Sequence, residues 1–173
     1  MKDKGIGIDA VAVGAGLSIT EHAKWQPKWI IEKYDKDMKL YETEEIDGNL
    51  LLNEGITELL NLLIGGTATA FNNANAYIGI GDGTTAAVTT QTGLLGANKT
   101  YVGMDSTYPQ ASGNVVTFSS TFGPTIGNHA WREFTVCNSN SDTGKNLNRK
   151  VESALRSKVN PDTWVVRLTI TIS

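Results

Sequence analysis

The chain has 173 residues, enough for one compact domain with an additional arm. A formal net charge of −3 with 19% charged residues gives no broad attraction for nucleic acid or an anionic membrane. The single cysteine, Cys137, excludes an internal disulfide and a cysteine zinc cluster, and no run reaches the ~18 apolar residues of a membrane-spanning helix.

Residues 1 to 22 show no clear periodicity; Asp9 and scattered glycines interrupt their apolar positions, so they are expected to form an extended arm. The rest, 23 to 173, is expected to be a single domain. "KWQPKWIIEKYD" reads as a strand whose Pro27 places its start at an edge, and "MKLYETEEID" reads as its hairpin partner, turned at Asp47-Gly48. "NLLLNEGITELLNLLIGG" follows. Leu52, Ile56, Leu59, Leu60 and Leu63 repeat at i, i+4, i+7, i+8 and i+11, predicting an amphipathic helix over about 50–64 with these residues packed on the core. Asn49 or Asn53 is the expected cap, Gly65-Gly66 the expected stop, and Gly55 a point of close approach to a sheet.

Beyond the helix the period drops to two. "AYIGI" reads as a short buried strand, followed by "KTYVGM" and "NVVTFSSTF", the last with Val116 and Phe118 on one face. "AWREFTVCN" places Arg132, Phe134 and Val136 on one face and Trp131, Glu133 and Thr135 on the other. In "TWVVRLTITIS", Trp164, Val166, Leu168, Ile170 and Ile172 alternate cleanly toward a core. The pattern predicts a mainly β (α+β) fold, an antiparallel sandwich with one amphipathic helix packed on it.

Charge is unevenly spread. Residues 21 to 58 are densely charged, whereas Leu59 to Ala130 contains only Asp82, Lys99 and Asp105. Two readings fit that bare middle: Thr, Ser and Asn solvate it, or neighbouring subunits cover it.

No motif carries catalysis. "NAYIGIGDGTTAAVTTQTGLLG" has the spacing Gly79-x-Gly81-x-Gly83 and runs into β-branched residues instead of a helix, so neither a dinucleotide fingerprint nor a P-loop fits. It reads as a corner turned through Gly81, Asp82 and Gly83, where a bulky residue should fail if either glycine sits at positive φ. His22 and His129 stand apart with no ligand spacing, Cys137 reads as an inert buried thiol, and no G-x-S-x-G elbow is present. Glu44, Glu45 and Asp47 lack calcium-loop spacing, so no metal or cofactor is expected. The basic run "KNLNRKVESALRSK" lacks the interleaved aromatics of a nucleic-acid surface. Its Arg149 and Lys150 are instead expected to face Glu44, Glu45 and Asp47 of a neighbouring copy, a contact that would set register. Trp25, Trp29, Tyr34 and Tyr41 are the candidates for an aromatic row on a carbohydrate-binding module displayed for host adhesion.

In order, "GNLLLNEGITELLNLLIGG", "AYIGIGDGTTAAVTTQTGLLG", "YVGMDSTYP", "VTFSSTFG", "AWREFTV", "LNRKV" and "TWVVRLTITIS" resemble small structural proteins of tailed bacteriophages, over roughly Trp29 to Ser173. The order also resembles, more distantly, the N-terminal attachment domain of tail-collar fibre proteins. Asp82-Gly83, Thr90 to Thr92, Leu94 and Trp131 to Glu133 occupy the places of its Gly-Asp-Gly turn, Thr-Gln-Thr-x-Leu segment and aromatic-Arg-Glu strand. The resemblance implies a virion part without enzymatic activity or cofactor, assembled in the host bacterial cytoplasm. Its implied partners are like copies, as a homo-oligomer, and capsid or tail proteins. With no shaft or receptor-binding tip after the sandwich, the expectation is a head decoration (cement) protein. A tail, collar, baseplate or fibre-attachment subunit is the alternative.

Overall fold

The computed structural model describes residues 24–173 as two five-stranded antiparallel sheets. The expected arm over residues 1 to 22, with His22, lies outside the described residues. In chain order the elements are β1 (Trp25–Tyr34), β2 (Leu40–Asp47), β3 (Leu50–Leu51), α1 (Asn53–Leu63), β4 (Tyr77–Gly81), β5 (Lys99–Gly103), β6 (Gln110–Ser112), β7 (Val115–Phe122), β8 (Ala130–Cys137), β9 (Asn148–Ser157) and β10 (Thr163–Ile172). One sheet has the order β3-β9-β8-β4-β5 and the other β2-β1-β10-β7-β6. The predicted mainly β fold with one helix is the observed one.

β10 is the middle strand of its sheet. It pairs with β1 from Thr163↔Tyr34 to Ile172↔Trp25 and with β7 from Trp164↔Phe122 to Thr171↔Val115. That double pairing puts Trp164, Val166, Leu168 and Ile170 onto the facing sheet, each at most 3% exposed. Ile172, predicted to continue the core row, is 48% exposed instead, lining an open groove with Trp25, Leu59 and Leu62. β1 and β2 form the expected hairpin, with Gly48 at φ +78° behind Asp47. Pro27 is in the second strand of its sheet, but β2 pairing begins only at Lys28↔Asp47; just before it Pro27 contributes its carbonyl, which accepts from Gly48 N at 3.3 Å.

Large aromatics fill the space between the sheets. Trp131 sits 4.7 Å from Trp164 and 4.9 Å from Phe122, ring centre to ring centre and edge-on, while Trp29 packs 5.5 Å from Phe134. This corrects one expectation, since Trp131 was assigned to the face opposite Phe134 and both are in the core. A register shift separates them. Between the pairs Val151↔Glu133 and Arg156↔Trp131, β9 advances five residues while β8 advances two, and alternation on β8 is broken there.

The helix departs furthest from expectation. It spans Asn53–Leu63, but Leu52 alone of the predicted stripe is fully buried. Ile56 and Leu59 are 38% exposed, Leu60 56% and Leu63 79%, so these four are not core residues. The buried helical positions are Gly55 and Glu58. A β-carbon on Gly55 would lie 2.7 Å from Leu147 Cα, so the helix backbone rests directly on the chain entering β9. Glu58 accepts hydrogen bonds from Thr69 N and Asn138 Nδ2, both 2.8 Å. No asparagine caps the helix; Leu52 occupies the cap position without a side-chain bond, and Asn53 N donates to Thr89 O at 2.8 Å. Gly65 ends it at φ +71°, as predicted.

Candidate functional site

The segment joining β4 to β5, residues 82–98, folds back over the outer face of its own sheet. It does so around one carboxylate. Glu133 projects from β8 away from the aromatic core and is wholly buried. It accepts hydrogen bonds from Gly83 N (3.1 Å), Leu95 N (3.0 Å), Gly96 N (2.6 Å) and Arg149 Nε (2.9 Å), with Arg149 Nη2 at 2.5 Å. Arg149, on the adjacent strand β9 and equally buried, donates onward from Nη1 to Thr85 O at 3.0 Å and Gln91 Oε1 at 2.9 Å. Gln91 then holds its own loop, accepting from Val88 N and donating to Ala86 O. Two N–H groups of the Arg149 guanidinium thus converge on Glu133 Oε2, and the remaining acceptors and donors have partners, which is what keeps an ion pair tolerable in a dry interior.

The corner glycines belong to this arrangement. Neither Gly81 nor Gly83 lies at positive φ. They lack side chains for a different reason: a β-carbon on either would lie within 2.6 Å of Glu133 Oε1. Asp82, between them, turns outward to accept from Asn98 N and Nδ2. The same loop has a second anchor. Asp142 accepts from Leu94 N at 3.1 Å, from Lys99 Nζ at 2.5 Å and from the Tyr101 hydroxyl. Burial alone would raise the Asp142 carboxyl, but the Lys99 ammonium and the Tyr101 hydroxyl outweigh it and hold it below the usual carboxylate range. Next to these anchors a polar network joins the sheet to the helix: Thr135 Oγ1 donates to Asn148 O at 2.6 Å, and Asn146 N donates to Glu54 Oε1 at 2.8 Å.

The structure corrects the predicted inter-subunit charge contacts. Arg149 is spent on Glu133, and Lys150 Nζ donates to Asp47 O at 2.7 Å within the same chain and pairs with Glu152 at 2.9 Å. Glu44 is bound by Lys33 Nζ and Arg156 Nε, both at 2.6 Å, and Glu45 by Lys28 at 2.6 Å. The acidic and basic segments do complement one another, but inside one molecule. The aromatic row also dissolves. Trp29 is in the core, Tyr34 is half-buried and bonded to Glu32, and Tyr41 stands on β2 with its hydroxyl on Asp162.

An open cavity of about 610 Å³ adjoins the Glu133 anchor, between Thr84, Ala86 and Ala87 of the loop and Arg132, Val151 and Ser153 of the sheet. Arg132 Nη1 donates to Ser153 O at 2.5 Å, filling the gap left by the register shift. Cys137 is buried, and burial pushes its thiol up to about 11, so the thiolate is scarce at neutral pH. His129 bridges Thr100 Oγ1 and Ala130 O. Lys158, read as part of a basic surface run, is buried; its ammonium donates to Gly123 O at 2.7 Å and Asn128 Oδ1 at 3.0 Å, tying down the β7–β8 loop. Among the described residues no group of three or more His, Cys, Asp or Glu is placed to hold a metal ion.

The sequence did not single out Glu133 as a centre, although its signal was present in the glycines at 81, 83 and 96, all of which crowd its carboxylate or the loop amides bound to it. With every Glu133 contact made to an amide or a guanidinium and no solvent access, the site orders a loop and has no lone pair free for acid–base chemistry. Comparison of the chain with known protein families, curated proteins and solved structures finds no match.

Proposed function

We propose that the chain is a non-enzymatic structural component of a tailed bacteriophage particle, one that decorates the head and binds capsid proteins and neighbouring copies. One observation supports this reading above others. The Gly-Asp-Gly turn, the Thr-Gln-Thr-x-Leu segment and the aromatic-Arg-Glu strand lie up to 50 positions apart, yet the turn bonds the buried carboxylate of Glu133 through Gly83 N, and the segment reaches it one step removed, through Gln91 on Arg149. The motifs that carry the phage resemblance are therefore one packing unit, in which Gly83, Gln91, Gly96 and Glu133 have mutually dependent places. Those polar side chains are spent on architecture, as suits a part whose task is to keep its shape on a particle.

The test is immunogold labelling, with antibody raised against this chain, of intact particles released from cells that carry its gene. Label distributed over heads is the expected result. Label confined to the tail or collar would replace decoration with the fibre-attachment reading, and unlabelled particles in a lysate that contains the protein would overturn both.

A further inference from the structure

The open cavity of about 610 Å³ beside the Glu133 anchor has the size of a small-molecule site. Its charged groups are spent on one another, with one exception. Arg149 is paired with Glu133 at 2.5 Å, and Lys150 with Glu152 at 2.9 Å. Arg132 has no carboxylate partner among the described residues, although the other three arginines of the chain, Arg149, Arg156 and Arg167, each have one. Its Nη1 is held by Ser153 O. That leaves the Nε–Nη2 edge of the guanidinium, two parallel N–H groups, with no acceptor among the described residues. A second polar group of the lining is also unmet. The Asn49 carboxamide is buried at both polar atoms and finds no hydrogen-bond partner among the described residues. Unpartnered groups of this kind are rare in folded proteins and call for a further molecule to complete them.

We propose that this cavity binds a small monocarboxylate, its carboxylate on the free edge of Arg132 and its apolar body against Leu50, Ala86, Ala87 and Val151. Three properties of the lining select that class. The planar fork of a guanidinium matches a carboxylate in two parallel hydrogen bonds. One unneutralised cation suits one negative charge, whereas a phosphate dianion would meet the Glu152 carboxylate with no second free cation to offset it. The walls of alanine, leucine and valine suit a body of a few carbons and would leave the hydroxyls of a sugar unpaired. Asn49 offers a further donor and acceptor once its side chain turns into the cavity. The site does not depend on a place in a virion, because each observation concerns one isolated molecule.

The experiment titrates the ¹⁵N-labelled full chain with hexanoate and follows the amides of Ala86, Ala87 and Val151 and the Arg132 Nε–H by NMR. Saturable shifts at these positions are expected, with none from hexanamide or inorganic phosphate over the same range. Arg132→Gln should weaken hexanoate binding by about tenfold or more, the usual worth of a hydrogen bond to a charged group. Because Arg132 also holds Ser153, a second variant leaves it in place. Ala86→Glu, at an exposed loop position, adds an internal carboxylate and should abolish the hexanoate shifts while the rest of the spectrum is kept. A blocked peptide, acetyl-Ala-Glu-Ala-amide, separates the sources of the carboxylate. Tighter binding of the peptide supports an acidic side chain of a partner chain, and tighter binding of hexanoate supports a free acid. No saturable shift with either carboxylate, or shifts unchanged by both substitutions, would overturn the site. An equal response to hexanamide, or a stronger one to phosphate, would overturn the ligand class.

Discussion

β10 and α1 both carry an apolar row at the period of their own backbone, and they are held to the molecule by different means. β10 has hydrogen-bonded neighbours on both edges and a facing sheet beneath it, so each inward side chain is surrounded. The helix lies across a strand entrance, and its buried positions are a residue with no side chain, Gly55, and a residue with a charged one, Glu58. The β4–β5 loop resembles the helix in this respect, being secured by Glu133, Arg149 and Asp142. The molecule thus has a sandwich stabilised by apolar burial and an outer layer stabilised by directed polar contacts. Losses in the first should be spread over the whole fold; losses in the second should be local.

The largest effect is expected where the outer layer meets the sheet. Arg149→Met leaves Glu133 charged and buried without its partner, at a cost of about 3–5 kcal/mol. Hydrogen exchange should speed up first at the amides of Leu95 and Gly96, and uniform acceleration across the sandwich would erase the distinction between layers. Leu168→Ala tests the other layer. Urea denaturation should show a loss of about 2–5 kcal/mol for this buried leucine, whereas Leu63→Ala, the same chemical change on the helix, should cost no more than about 1 kcal/mol. Equal losses would mean that the two rows are equally buried.

Gly55→Ala is sharper still, because helix propensity and packing oppose each other. Alanine favours an isolated helix by about 1 kcal/mol, yet its methyl would overlap Leu147. We expect a net loss of about 1–3 kcal/mol, the usual cost of overpacking, measured from the shift of the denaturation midpoint. The smallest effect is electrostatic. Asp142 and Glu44 both titrate below their ordinary values in the folded chain: burial opposes this, but their lysine, arginine and tyrosine partners prevail. A carboxyl with a lowered folded pKa contributes stability above its unfolded value, near 3.8 for Asp142, and that contribution disappears as pH falls through the folded value. Acidification from pH 5 toward about pH 2 should therefore destabilise the wild-type chain more than Asp142→Asn. Parallel curves would remove Asp142 from the anchors.

Periodicity located seven of the described strands, because a sheet exposes two faces and each strand declares which residues serve which face; β3, inside the predicted helix, β6 and β9 were not read from it. Val116 and Phe118 on β7, and Trp164 to Ile170 on β10, followed that rule. It failed at Trp131, where a register shift inverted the face, and at Ile172, which lines an open groove. The helix stripe was visible for the same reason the β10 row was, but its partner was not: a period identifies an apolar face without supplying what covers it. The Glu133–Arg149 anchor was legible in pieces. The spaced glycines and the Arg-Glu pair of β8 stand apart in the sequence, and nothing local links residue 83 to residue 133.

The sequence by itself determined the class of this protein: two antiparallel sheets' worth of alternating strands, one helix of the right length, a glycine-marked corner and an unreactive cysteine. These depend on neighbours within a few positions, where φ/ψ preference and side-chain alternation act. Only the tertiary structure decided that Arg149 and Lys150 meet acceptors in their own molecule, that Gly81 and Gly83 make room for a carboxylate, and that Leu60 and Leu63 of α1 face outward. Each of these depends on groups dozens of residues apart being brought into contact, and desolvation and close packing act only once they are.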